Sequence, residues 1–419
     1  MENRVKKNIW VVTCSYGVYS DSHTIRLRNL LYNFDSSIYN LKIISPGPIS
    51  NGLKINEYAE EIFLDTPLFF KILKFLKNFR FFGIFLEWLF RNLFYRFAFP
   101  DLFMFWDFTV INYFRNNKDN LPDIVISASG SPVVHVAILK LRKLYKFLWI
   151  ADFGDPWFIV DKQLRPFYAP FSKKNEKKII SVSDHTLLTS HLTLREYENI
   201  YDNFSKNKAH IFPYGFLNKD INSFNTNDFD KNKFNISHVG TAHKSDRNLL
   251  PLFEVLNGLE NENKFKPFYN FILAGNYSID FKKYLINSII TSNILGKVSF
   301  YDSIQIMGNS QLNIIVGNFN GIQIPGKVFM CLSIPVPILY IAQTDSDSDE
   351  AMKYLSLFQG IVYCENNIES IRFQILNIVS NIDMLKKQSL ERVKSDTLLK
   401  LEGVSLSTQL EEIIVNRQI

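Results

Sequence analysis

The residues best suited to chemistry follow a strand-like run at Phe234. Gly240, Thr241 and Lys244 fall in the segment Gly240-Thr-Ala-His-Lys, and Arg247 comes just after it. A glycine at a strand end lets the backbone approach a phosphate, and the next helix aims free N–H groups at it. Lys244 and Arg247 are placed to neutralise that charge. The full dinucleotide fingerprint is absent. A second segment, Ile324-Pro-Gly-Lys-Val-Phe-Met, opens a helix with Pro325 and Gly326 and sets Lys327 in its first turn. A lysine there opposes the helix dipole, which makes sense if an anion binds beside it. Taken alone, each segment also fits a purely structural role.

Carboxylates and imidazoles gather elsewhere. Asp152 and Asp155 flank a strand-to-loop transition ending in Pro156 and Trp157. A carboxylate there can contact a sugar hydroxyl or accept a proton, or simply brace the loop. His23 and Arg26 follow the first strand, and His135 opens the helix after Ser129-Gly-Ser-Pro132. No histidine pair has metal-ligand spacing. The run Asp345-Ser-Asp-Ser-Asp-Glu350 lacks the glycine and terminal glutamate of a calcium loop and reads as a solvated acidic turn.

These groups need a scaffold. The 419 residues suit two domains, and 21% charged with 47% hydrophobic residues is ordinary globular usage. Strand-like runs at Asn8–Cys14, Leu41–Ile44, Asp123–Ala128, Phe147–Ala151 and Asp184–Thr189 alternate with helical patterns. Further runs fall at Phe234–Gly240, Phe268–Leu273, Val298–Phe300, Leu312–Val316, Val336–Tyr340 and Gly360–Tyr363. Such alternation predicts an α/β fold with two Rossmann-like lobes, parallel sheets and a cleft between them. Residues 217 to 233, rich in Asn, Asp and Lys, read as the crossing. The expected division is 1–216 for the first lobe, 217–395 for the second, and a C-terminal helix at 396–419 that packs back on the first.

Three scattered cysteines and a net charge of +6 imply neither disulfides nor a nucleic-acid surface. No apolar stretch reaches the roughly 18 residues that a spanning helix needs. The N-terminus lacks a signal-peptide core, which predicts a cytoplasmic location. Residues 67–106 crowd phenylalanines among basic residues. Lys71, Lys74 and Lys77 recur at helical spacing beside Phe75 and Phe79. Either this stretch lies on an anionic membrane surface, or its aromatics form an internal cap. So many exposed phenylalanines favour the membrane.

The ordered segments resemble glycosyltransferase family 4, in particular its bacterial surface-polysaccharide branch. The matching pieces are Pro122-Asp-Ile-Val-Ile-Ser-Ala-Ser, Ala151-Asp-Phe-Gly-Asp-Pro-Trp157, Glu176-Lys-Lys-Ile-Ile-Ser-Val-Ser-Asp184, Pro213-Tyr-Gly215, His238-Val-Gly-Thr241 and Pro325 to Leu339. The chain departs from the family where its paired donor-site glutamates would stand, at Ile322 and Met330. Gly154 replaces an arginine and Pro335 a glycine. The resemblance implies a GT-B architecture and metal-independent, retaining transfer from a nucleotide sugar to a glycan acceptor, lipid-linked by this reading. It implies catalytic roles for Arg247, Lys327 and Asp155. Donor contacts would come from Gly240, Thr241, Lys244, Gly275, Pro325, Gly326 and Met330, and acceptor contacts from His23, Arg26 and His135. A non-catalytic relative and a sugar-nucleotide epimerase are the alternatives.

Overall fold

The computed structural model describes residues 6–16, 22–47, 53–76, 97–128, 130–202, 204–221, 233–262 and 269–416. The chain divides into two compact units, Met1–Pro213 with Ser407–Ile419, and Tyr214–Leu406.

The first unit is built on seven parallel strands in the order β3-β2-β1-β4-β5-β6-β7. They are β1 (Lys7–Thr13), β2 (Tyr39–Pro46), β3 (Glu60–Leu64), β4 (Ile124–Ala128), β5 (Leu148–Phe153), β6 (His185–Leu188) and β7 (Ala209–Ile211). β1 and β4 carry continuous buried apolar runs because helices cover both faces of the sheet. The core on one face gathers Trp10, Trp106, Phe114, Trp149 and Tyr197 around the helix Val133–Leu141. The helix Gly403–Val415 supplies residues from Ser407 onward, and the Ser407 hydroxyl donates to the Leu30 carbonyl at 2.8 Å.

The second unit repeats the plan with six parallel strands, ordered β10-β9-β8-β11-β12-β13. They are β8 (Phe234–Val239), β9 (Tyr269–Ala274), β10 (Ser292–Gly296), β11 (Leu312–Val316), β12 (Ile338–Ala342) and β13 (Ile361–Glu365). Both sheets reverse direction of growth once, between β1 and β4 and between β8 and β11. Ligands of open α/β sheets sit outside the strand carboxyl ends at that point.

Three expectations need correction. Val298–Phe300 is not a strand. Ser299 caps the helix Phe300–Asn309 in a reciprocal capping box with Asp302, and the edge strand is β10 instead. β3 and β10 are short, partly exposed edges whose patterns were too weak to find. The acidic turn is only partly solvated. Asp345 and Asp347 are exposed, but Asp349 is buried, accepts from the Tyr340 hydroxyl at 2.7 Å and caps the helix Glu350–Leu355. Within the aromatic-basic stretch, Lys71, Lys74 and Phe75 lie in the helix Leu68–Leu76, while Lys77 and Phe79 fall outside the described residues. Phe75 is exposed, and Lys71 pairs with Asp65 at 3.7 Å. No helix of the described residues is long and apolar enough to cross a membrane.

Candidate active-site groups in each unit

In the second unit, the strands at the switch point end in an arrangement of backbone and cations. β8 runs into Gly240 at φ 133°, and β9 into Gly275 at φ 137°. A Cβ on Gly275 would meet the Gly240 carbonyl oxygen at 2.0 Å, so glycine is needed for two backbones to touch. Gly275 therefore joins the two strands, with Gly240 N–H donating to the Ala274 carbonyl at 2.7 Å. Lys327 reaches back over this joint. Its ammonium donates to the Val239 carbonyl, and a Cβ on Gly240 would come within 1.5 Å of Nζ.

Arg247 approaches from the loop after β8. Its Nε donates to Asn318 Oδ1 at 2.8 Å and its Nη1 to the Thr241 carbonyl at 3.2 Å. The nearest carboxylate is Asp246 at 4.0 Å, half exposed. Among the described residues Lys327 has no carboxylate partner. Burial, and then Arg247, push its pKa down to about 7. The same two cations, after burial, hold the His238 imidazole well below its usual range. His238 is thus neutral, with Nδ1 bonded to the Tyr277 hydroxyl at 2.8 Å. Two cationic groups lie beside the partly buried Gly240 turn, Lys327 facing no carboxylate among the described residues and Arg247 meeting the half-exposed Asp246 at 4.0 Å, an arrangement able to hold a phosphate.

The other residues expected on the donor side lie as follows. Thr241 is half-buried, and its carbonyl holds Arg247. Lys244 is exposed. Pro325 and Gly326 turn the chain into the seven-residue helix Lys327–Ser333. Gly326 is small because the Tyr214 ring lies against it, where a Cβ would stand 3.0 Å away. So short a helix has little dipole, and Lys327 acts by its reach to β8. Met330 faces the apolar core with Val328 and Phe329 and offers a nucleotide no hydrogen bond, which corrects its expected donor contact.

In the first unit, the carboxyl ends of β4 and β5 open onto a cavity of about 280 Å³. His23, His135 and Asp155 all line it. His23 Nε2 pairs with Asp155 at 3.3 Å. His135 is fully buried; Nδ1 bonds Ser127 Oγ at 2.7 Å, and burial drops its pKa to about 3. Arg26 is different from what its position suggested. It is buried, grips Asp152 through Nε and Nη2, and donates to the carbonyls of Phe212 and Pro213. It braces the strand ends and is not a ligand contact. Asp152, its partner, is likewise structural.

One carboxylate, Asp101, escaped the sequence reading, and another, Glu176, entered it only as the first residue of a matched segment. Asp101 lines the cavity and accepts from the Ser131 hydroxyl and from the Phe103 N–H at 2.7 Å. Burial pushes its pKa up, against the pull of these donors. It hides among the phenylalanines of 67–106, where no spacing signals it. Glu176 is fully buried and accepts the N–H groups of Trp157 and Phe158, each at 2.9 Å, and the hydroxyls of Tyr197 and Tyr201. It fixes the loop that carries Asp155.

No protein-family model matches the chain, and no curated protein matches it. Solved structures do. An α,α-trehalose-phosphate synthase (UDP-forming) from Burkholderia xenovorans, in complex with glucose-6-phosphate, superposes with a TM-score of 0.65 at 8% identity, covering 97% of this chain and 100% of that one. The sucrose-phosphate synthase of Thermosynechococcus elongatus gives 0.63 at 10% identity over 98% and 99% of the two chains. A putative UDP-N-acetylglucosamine 2-epimerase from Listeria monocytogenes gives 0.58 at 11% identity over 98% and 97%. At such identities the likeness is one of fold: two Rossmann-like units in a single chain, the GT-B architecture.

Proposed function

We propose that this chain is a glycosyltransferase that moves a sugar from a nucleotide-sugar donor to a glycan acceptor. The observation that carries this is the pair of cations Lys327 and Arg247 at the switch point of the second unit, whose one carboxylate neighbour among the described residues is the half-exposed Asp246 at 4.0 Å from Arg247. Loss of a nucleoside diphosphate from an anomeric carbon builds negative charge on the bridging phosphate oxygen. Cations already fixed in place stabilise that charge without reorganising, the role a metal ion plays elsewhere. Gly240 and Thr241 give the diphosphate close backbone contact. His23, His135 and Asp155 face the acceptor in the first unit's cavity, where Asp155 orients or deprotonates its hydroxyl.

By resemblance, the transfer is retaining and metal-independent and the acceptor lipid-linked, in surface-polysaccharide synthesis at the inner face of the cytoplasmic membrane. The exposed Phe75 and the lysines of 67–106 support that contact. Incubation with a panel of nucleotide sugars and a membrane extract tests the reading. Transfer product that is lost in Arg247→Ala and Lys327→Ala supports it; intact donor throughout contradicts it.

The epimerase likeness favours one rival, in which the same phosphate site serves a free sugar nucleotide. Release of an epimerised sugar, with no acceptor consumed, would select it. Met330, apolar where the resembling family places a glutamate, favours the non-catalytic rival. Nucleotide binding without turnover would select that one.

A further inference from the structure

The first unit's cavity lies where a Rossmann-like sheet ordinarily receives a phosphate, at the turn after β4 and the start of the helix Val133–Leu141. In this chain a resident carboxylate fills that place. Asp101 takes the Ser131 hydroxyl, the Phe103 N–H and the backbone N–H of Val133 at the head of the helix. The donors that would hold a phosphate are spent on it.

The cavity's charge points the same way. Its one arginine, Arg165, is tied to Asp161 by Nε at 2.9 Å and donates to the carbonyls of Ala98 and Pro100. The other carboxylates among the described lining residues are Asp101 and Asp155, the latter paired with His23, and the buried His135 is held neutral. Phe103, Phe153 and Trp157 supply apolar wall. His135 adds a fully buried imidazole to the lining. A volume of about 280 Å³ stands at the lower end of small-molecule sites and suits one sugar ring.

We infer that this cavity binds an uncharged or amine-bearing sugar ring and rejects a phosphorylated one, with Asp101 as the discriminating residue. The inference rests on the reading of the first unit as the acceptor side. It separates this chain from a trehalose-phosphate synthase whose structure contains glucose-6-phosphate.

The test is calorimetric titration of the full chain with methyl glucosaminide, methyl glucoside and glucose 6-phosphate. The expected result is binding of the first two, with the phosphate weaker by about tenfold or more. Asp101→Ser, which removes the carboxylate and frees the helix donors, should improve glucose 6-phosphate binding by about tenfold and weaken the glucosaminide. Asp101→Asn, nearly the same shape, should level the glucosaminide and the glucoside, and it guards against misfolding of the serine variant. Equal or tighter binding of glucose 6-phosphate to the native chain, unchanged discrimination in both variants, or no sugar bound at all would overturn the inference. A parallel titration with UDP separates the two claims. Failure there defeats the transferase reading and leaves sugar discrimination in the first unit standing.

Discussion

Lys327 shows what the site costs the fold. An ammonium held at a pKa of about 7 beside a guanidinium is a group the folded state would rather not protonate. Between about pH 7 and its ordinary 10.5 the unfolded chain binds the proton and the folded chain does not, so stability rises with pH through that window. Below it the full penalty applies. Lys327→Met should therefore raise stability near neutral pH by about 1 kcal/mol, read from urea midpoints, while abolishing nucleotide binding. A bound diphosphate reverses the preference by supplying the missing anion. Its affinity should fall above pH 7, by up to about tenfold per pH unit, with proton uptake visible in buffers of different ionisation enthalpy. A pH-independent affinity would mean that Lys327 does not meet the phosphate.

The elements around these residues were legible in unequal measure. The buried strands β1, β4 and β11 announce themselves by mostly apolar runs and β8, Phe234-Asn-Ile-Ser-His-Val239, by the glycine that ends it, while the strand order and the switch points came with the structure. Lys327, Arg247 and Gly240 follow from position relative to those strands. Edge strands β3 and β10 are half exposed and carry no clear period. Arg26 was misread because sequence gives proximity to a strand end but not the direction of a side chain. Asp101 and Glu176 are visible only once tertiary contacts bring donors to them. Glu176→Ala should cost about 3 kcal/mol or more, since two buried hydroxyls and two backbone N–H groups lose their acceptor. The glycine joint gives a sharper contrast. Gly275→Ala drives a Cβ into backbone and should destabilise by about 2 kcal/mol or more. Gly240→Ala carries the strain of its positive φ but otherwise meets only the end of the Lys327 side chain, so it should cost less stability than Gly275→Ala while weakening nucleotide binding. Chemical denaturation and titration on the same two variants check both halves.

At the scale of the molecule, one chain carries two α/β units of the same plan, each with its own hydrophobic core. One presents cations at its strand ends, the other carboxylates and imidazoles. That division of charge fits the proposed transfer, with an anionic leaving group assigned to one unit and the acceptor hydroxyl to the other. The membrane contact proposed for 67–106 belongs to this scale too. Lys71, Lys74 and Lys77 changed together to Glu should move the protein off anionic vesicles in a sedimentation assay, and unchanged partition would remove the lipid surface from the account. The most direct measurement of the central claim is titration of nucleoside diphosphates, with different bases, into the native chain and into Arg247→Ala and Lys327→Ala. The account predicts that at least one binds and that each variant weakens it by about tenfold or more. Binding that ignores both substitutions, or no binding of any diphosphate, would contradict it.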